Sequence, residues 1–363
     1  MDRFDIAIVG AGIAGASIAA ELGAHASVVM LEAEDTPGYH STGRSAAFWE
    51  ECYGGPQIVP LTLASGEFLR EQGFLKQRGA LYLARVQDEA MVAGFIARFA
   101  GSGAGFERIG RSQLESVVPG LKPEWDRAIW EPGCADIDVA ALHAHYLAQA
   151  KKLGVELMCR ARVTDIAHRD GWQIVLADDR EVQATKLVNA AGAWADEIAK
   201  LAGVNPKGIQ PYRRTVAQLR VDPPPPDDMP LCLDISESFY FKPESGRLWL
   251  SPHDETPSQP VDAAPEELDV AIAIDRLQQV TDWDVQAVER KWAGLRSFAP
   301  DRLPVYGFDP DQSDFFWCAG QGGFGIQTAP AGARLAAQLL LGLPRDAMTA
   351  AIDADCFAPS RFP

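Results

Sequence analysis

The first fifteen residues constrain the fold most. Residues 4–10, FDIAIVG, form a short run of branched apolar side chains and read as a buried parallel strand. Gly10-Ala11-Gly12-Ile13-Ala14-Gly15 follows at once, and then good helix formers over 16–22. Between a strand and a helix, G-x-G-x-x-G has a specific physics. Gly10 permits the tight turn, and Gly12 lets the backbone approach a diphosphate. Gly15 lets the helix lie on the strand, so the diphosphate rests on the positive helix N-terminus at Ile13. A second strand over 27–31 ends at Glu32, 20 residues after Gly12. A carboxylate there accepts hydrogen bonds from ribose hydroxyls and repels a 2′-phosphate. A glycine turn alone also suits any α/β domain. Strand, turn, helix, second strand and terminal acid together point to dinucleotide binding.

The motif does not separate a nicotinamide from a flavin. Residues 37–47, PGYHSTGRSAA, are small and polar. Such a stretch can lie along an extended cofactor and offer it N–H groups from Ser41, Thr42, Arg44, Ser45, Ala46 and Ala47. A second strand–small-residue–helix unit spans 186–196 and carries Ala191, Gly192 and Trp194. Close helix–strand packing explains those small residues equally well. Near the end, a buried strand over 315–319 leads into a glycine loop at 320–325 and an apolar helix over 326–341. A helix N-terminus aimed at a cofactor ring stabilises negative charge on it. Reduced flavin carries such charge and a nicotinamide does not, so Gly322, Gly323, Phe324, Gly325 and Ile326 favour flavin.

The 363 residues allow two or three domains. Residues 206–295 change character, with more proline and aromatics. Residues 214–221, 238–242 and 248–251 read as antiparallel strands, with a covering helix over 265–280. A helix is expected over 138–153, capped by Asp136 or Asp138 and stopped by Gly154. His143 and His145 diverge on it, so no metal site is expected. The expected class is α/β: a Rossmann-like dinucleotide-binding domain from 1–47, 138–205 and 296–363, with an antiparallel-sheet substrate-binding domain from 48–137 and 206–295.

Acids outnumber bases 50 to 33, and the net charge of −17 argues against a nucleic-acid partner. Six cysteines without a C-x-x-C pair suit a reducing compartment and no zinc. No run of 18 apolar residues occurs. The start, MDRFDIAIVG, carries acids straight into a strand, unlike a signal peptide. A cytoplasmic protein is expected, with peripheral contact at the inner face of the membrane left open.

Taken together, these segments resemble the D-amino-acid oxidase superfamily of FAD-dependent oxidoreductases over nearly the whole chain. The strings HSTGRSAA (40–47), VNAAGAW (188–194), WAGLRSF (292–298) and QGGFGIQT (321–328) are most similar to the bacterial D-arginine dehydrogenases. The resemblance implies FAD as cofactor, with Val163 among its contacts. It also implies roles for particular residues. Arg296 would hold a substrate carboxylate bidentately and Tyr240 would donate a hydroxyl to it. Arg213 would be a second arginine near the substrate. Gly323 would offer its carbonyl to the substrate amine, and Gln327 would lie near the flavin. Tyr53, beside Gly54 and Gly55, would be a mobile lid. The cysteine that binds flavin covalently in sarcosine-oxidase-like relatives has no counterpart in 292–300, so the FAD is expected to be non-covalent.

Two departures bear on the substrate. Phe48 stands where the D-arginine dehydrogenases have histidine, and Ala80 stands where they have the glutamate for the guanidinium. Glu50 or Glu51 could replace that glutamate, although both are expected at the solvent surface. Phe48, Trp49, Tyr53 and Phe324 make an apolar or aromatic side-chain pocket an equal expectation.

The implied reaction is oxidation of a D-amino acid to its imino acid by hydride transfer to flavin N5, followed by hydrolysis to the 2-oxo acid and ammonia. No residue is spaced as a strong general base. Two rival readings stand: oxidation of a secondary amine (sarcosine or proline type) or a 2-hydroxy acid, and a non-catalytic flavin-binding partner protein. The electron acceptor is open among a quinone, a carrier protein and O2, and so is the oligomeric state.

Overall fold

A computed structural model describes residues 2–362. Its centre is the strand Asp2–Val9, parallel to Val28–Leu31 on one side and to Glu181–Asn189 on the other. Glu156–Met158 extends the sheet beyond Val28–Leu31, and Phe315–Ala319 pairs parallel with Glu181–Asn189. Every residue of Val28–Leu31 and Phe315–Ala319 is buried, as expected of strands covered on both faces. The antiparallel strands Val163–His168, Trp172–Leu176 and Val305–Phe308 complete the eight.

The helices Ile13–Leu22, Val139–Lys152 and Ala329–Leu341 cover one face through Ile8, Ile18, Leu22, Phe316 and Leu335. Asp138 caps the second of them by accepting from the Ala141 N–H at 2.9 Å. The last helix begins three residues later than the sequence suggests. Residues 321–328 form turns instead, held by the Thr328 hydroxyl donating to the Phe324 carbonyl at 2.8 Å. Pro330, which has no N–H to leave unpaired, then suits the first turn.

The second sheet has nine strands and is built on one long antiparallel pair, Gln210–Asp222 with Asp284–Phe298. Arg247–Ser251, Tyr240–Glu244, Leu231–Asp234, Ala80–Ala84, Arg127–Glu131 and Glu107–Gly110 follow in that spatial order. The helix Glu267–Val280 covers one face through Val270, Ala273 and Leu277, which pack with Phe241 and Leu250. Asp284–Phe298 runs unbroken through position 296, where the sequence reading changes domain. The helix Val59–Glu71 packs on Ala329–Leu341, where Ser65 accepts from the Ala331 N–H at 3.1 Å. Arg44 joins the cofactor-side loop to the second sheet, donating to the Ala263 and Ala293 carbonyls and accepting from the Trp292 ring N–H. No described helix is long and apolar enough to cross a membrane.

The tightest contact in the first layer is at the glycine turn. Gly10 has φ of +99°, and a Cβ on Gly15 would sit 1.9 Å from the Gly10 carbonyl oxygen. Gly15→Ala must therefore push the helix Ile13–Leu22 off the strand. The expected cost is about 1–3 kcal/mol of stability, read as a lowered urea midpoint at unchanged slope.

Candidate active site

An elongated cavity of about 340 Å³ is lined by residues of both sheets. One end is built by the glycine turn. Ile13 N–H donates to the Thr42 hydroxyl at 3.0 Å, and Ala11 N–H donates to the Glu32 carboxylate at 3.0 Å. The other Glu32 oxygen accepts from Glu34 N–H at 3.0 Å. These bonds fix the carboxylate at the cavity wall and leave it lone pairs for ribose hydroxyls. A Cβ on Gly12 would crowd the Thr42 hydroxyl at 3.1 Å, so a side chain there would press on the group that holds Ile13 N–H. The N–H groups of Ala46 and Ala47 find no acceptor among the described residues. His143, on the helix Val139–Lys152, braces the turn through its ring nitrogen at 2.9 Å from the Ala11 carbonyl. His145 instead packs among Phe68, Phe74 and Tyr146.

Gly10, Gly12, Ile13, Glu32, Ser41, Thr42, Arg44, Ser45, Ala46, Ala47, Val163, Ala191, Gly192, Trp194, Gly322, Gly323, Gly325 and Ile326 all line the cavity. Two expected cofactor contacts do not. Gly15 is the packing contact described above. Phe324 is buried in the core against Tyr53 and Phe298, because the turn at 321–328 points its ring inward. The donor set fits a flavin dinucleotide: the Gly12 and Ala14 N–H groups at the helix N-terminus, with no acceptor among the described residues, a carboxylate at the end of the second strand, and small residues along the wall between. None of the six cysteines lines the cavity.

The other end lies on the second sheet. Tyr82 pairs with Leu233, Leu233 with Tyr240, and Tyr240 with Ser251, so these side chains share one face. Leu233 and Tyr240 line the cavity. Arg214 stands opposite Gly294, and Arg296 stands opposite Tyr212, on that same face of the long pair. Both arginines line the cavity. Arg296 has no hydrogen-bond or carboxylate partner among the described residues. The Arg214 side chain is only 6% exposed. Its Nε donates to the Asp254 carbonyl at 2.7 Å, and its buried Nη1 has no partner. Burial, with Arg296 beside it, lowers its pKa to about 10.

Arg213 is a correction. Strand alternation turns it to the opposite face, where it meets Glu266 and Asp269 of the covering helix segment. The arginine at the cavity is its neighbour Arg214. Gln327, expected near the flavin, is buried and does not itself line the cavity, although Ile326 beside it does. Its amide oxygen accepts from Glu50 N–H at 3.2 Å, and its amide nitrogen donates to the Glu50 carbonyl and the Thr62 hydroxyl.

Tyr53 closes the roof. A Cβ on Gly323 would lie 1.9 Å from the Tyr53 hydroxyl and 2.9 Å from the Arg296 guanidinium carbon, so only glycine fits between them. Phe48 lines the cavity, with its ring 6.0 Å from that of Tyr240. Trp49 points away, its ring N–H donating to the Thr62 carbonyl. Glu50 also departs from expectation. It is 3% exposed, lines the cavity and accepts from the Tyr82 hydroxyl. Burial raises its pKa to about 7, against the pull of the Tyr82 hydrogen bond and of Arg296. Glu51 faces outward and accepts from Gly105 N–H at 2.6 Å.

Sequence reading did not single out His253, Leu233 or Val216, all of which line the cavity. His253 and Glu237 both have positive φ, and His253 Nδ1 meets the Glu237 carbonyl. Burial, aided by Arg214 and Arg296, holds His253 well below the usual histidine range. Two bulky residues in the left-handed region, joined to each other beside the cavity, were the only signal. That signal exists in the backbone alone.

Fold and cavity thus define a flavin-dependent oxidoreductase. Over residues 5–339 the chain matches the DAO family, FAD dependent oxidoreductase, and it belongs to that family, with FAD as its cofactor. FAD-dependent oxidoreductase domain-containing protein 1 of Bos taurus is 26% identical over 94% of this chain and 82% of its own. Glycine oxidase of Geobacillus kaustophilus is 25% identical over 93% of each, and its crystal structure superposes with a TM-score of 0.85 over the whole of both chains. L-proline dehydrogenase from P. horikoshii shares the fold with a TM-score of 0.85 at 22% identity, over 99% of this chain and 98% of its own. Glu32→Ala is expected to weaken FAD binding about 10- to 100-fold, the worth of hydrogen bonds to a charged group, measured by fluorescence quenching as FAD is titrated into apoprotein.

Proposed function

We propose that the protein oxidises a D-amino acid to its imino acid, which water then hydrolyses to the 2-oxo acid and ammonia. The observation that carries this reading is Arg296, a guanidinium facing the cavity without a partner, with Tyr240 and Arg214 on the same sheet face. An uncompensated cation beside a second one is costly, and a carboxylate ligand relieves both. The D configuration rests on the resemblance of residues 40–47, 188–194, 292–298 and 321–328 to the D-arginine dehydrogenases. FAD, when bound, supplies the two-electron acceptor.

The protein's own residues orient and enclose the substrate. Arg296 and Tyr240 hold the α-carboxylate, with Arg214 adding positive potential. Tyr53 covers the substrate and excludes water. Phe48 and Leu233 flank its side chain, which suits an apolar group. The fixed carboxylate sets the direction of the Cα–H bond, so most of the rate advantage comes from orientation.

Oxidation of a secondary amine remains the second reading, favoured by the fold shared with L-proline dehydrogenase. A panel of D- and L-amino acids, sarcosine, proline and 2-hydroxy acids, mixed anaerobically with the yellow protein, separates the two. Bleaching of the flavin band by D-amino acids supports the first reading. Bleaching only by N-alkylated or hydroxy acids moves the protein to its rivals, and no bleaching at all points to a non-catalytic flavoprotein. Arg296→Leu is expected to weaken carboxylate binding by about 2–5 kcal/mol, as for truncating one partner of a buried charge pair. The readout is the spectral shift of bound flavin on titration with benzoate. Unchanged affinity would remove Arg296 from the site.

A further inference from the structure

Nothing in the sequence marks a general base, yet the folded chain brings one to the cavity. We infer that Glu50 accepts the proton that the substrate ammonium group must lose before its Cα–H bond can be oxidised. This rests on the amino-acid reading above.

Four acids line the cavity: Glu32, Glu34 and Glu197 at the dinucleotide end, and Glu50 alone beside Tyr240, Tyr53 and Leu233. One Glu50 oxygen accepts from the Tyr82 hydroxyl. The other has no partner among the described residues, and Glu50 lines the cavity. Its main chain is clamped on both sides by Gln327. The next two N–H groups, of Glu51 and Cys52, are held by Glu131, which is wholly buried. The carboxylate is therefore presented on a fixed turn, as catalysis by orientation requires.

Elimination points the same way. Arg214 and Arg296 are cations, burial lifts the Tyr53 and Tyr82 hydroxyls above their usual range, and His253 is too weak a base. The charges facing Glu50 come from four other elements: Tyr82 of Ala80–Ala84, Glu131 of Arg127–Glu131, Glu237 before Tyr240–Glu244, and Arg296 of Asp284–Phe298. Glu51 and Tyr53 share its own segment. Burial raises Glu50, Tyr82 and Arg296 oppose that rise, and Glu237 adds to it, which leaves the group near 7, where a base serves best at neutral pH. In the step itself, an N–H bond of the ammonium breaks and an O–H bond forms on Glu50. The electron pair stays on nitrogen, where C=N formation needs it.

The test uses the FAD-loaded enzyme and the amino acid that bleaches it best. For the wild type, kcat/KM should rise with pH through about 7 and fall again where the free substrate ammonium itself titrates. For Glu50→Gln the rise should appear only at the ammonium's own pKa, with a loss of about 100-fold at neutral pH. Tyr82→Phe removes a donor that lowers Glu50, so it should shift the first rise upward and leave the fall in place. A second readout needs no turnover. 2-Aminoisobutyrate carries the ammonium and carboxylate but has no Cα–H bond. Its binding above the Glu50 pKa should produce a protonated-carboxyl band in the infrared difference spectrum of the wild type, and no such band in Glu50→Gln. A single rise at the ammonium's pKa in both proteins, with no carboxyl band, would overturn the assignment. Failure of the amino-acid reading would look different, as a flavin that no amino acid bleaches.

Discussion

The contact on which the rest depends is the Gly10 carbonyl against Gly15. With no Cβ between them, the helix Ile13–Leu22 lies directly on the strand Asp2–Val9 and starts just past that strand's C-terminal end. Helix N-termini leave N–H groups without partners. Here the Thr42 hydroxyl takes that of Ile13, and Glu32 takes that of Ala11 in the turn before the helix. Both side chains arrive from segments that also line the cavity. The turn is thus held by groups that remain beside a bound dinucleotide. His143 braces the turn through the Ala11 carbonyl.

At the far end the controlling quantity is charge. Arg214 and Arg296 stand on one face of two paired strands, and neither has a full complement of partners. Asp254 and Glu255 lie 3.9 and 3.4 Å from Arg214 and offset part of its charge, while Arg296 forms no ion pair among the described residues and has only the Coulombic pull of Glu50. Such a site is stable enough to fold and gains from an anionic ligand. Glu50 tempers it. A carboxyl raised to about 7 is only partly ionised at neutral pH, so its burial costs less than that of a fixed charge.

Legibility in the sequence followed the kind of constraint involved. Backbone constraints were plain: the glycine turn, the acid at Glu32 and the small-residue runs at 40–47 and 190–193 all lie on the cavity, because only certain residues allow that geometry. The buried strands were plain from their short runs of apolar residues. The reading failed where one position decided the facing of a side chain. Arg213 and Arg214 are adjacent and chemically identical, and only strand register separates them. That register includes bulges between Gln218 and Leu219 and between Arg220 and Val221, which no local pattern announces. Phe324 and Gln327 fell inside a motif whose neighbours do line the cavity, yet the turn there sends them inward.

Glu50 and Glu51 show the limit most sharply. Two consecutive acids after an aromatic pair look like the solvated end of a strand, and Glu51 behaves that way, holding the Gly105 N–H near the surface. Glu50 is enclosed by Tyr82, 32 positions along the chain, and by Gln327, 277 positions away. Neither partner can be found by spacing or periodicity, since each belongs to a different sheet or turn. The energetics that make the position illegible also give it a use. A carboxylate moved to the surface would titrate near its ordinary value and would be a poor proton acceptor at neutral pH. The basicity exists only because distant segments bury the group at the cavity wall.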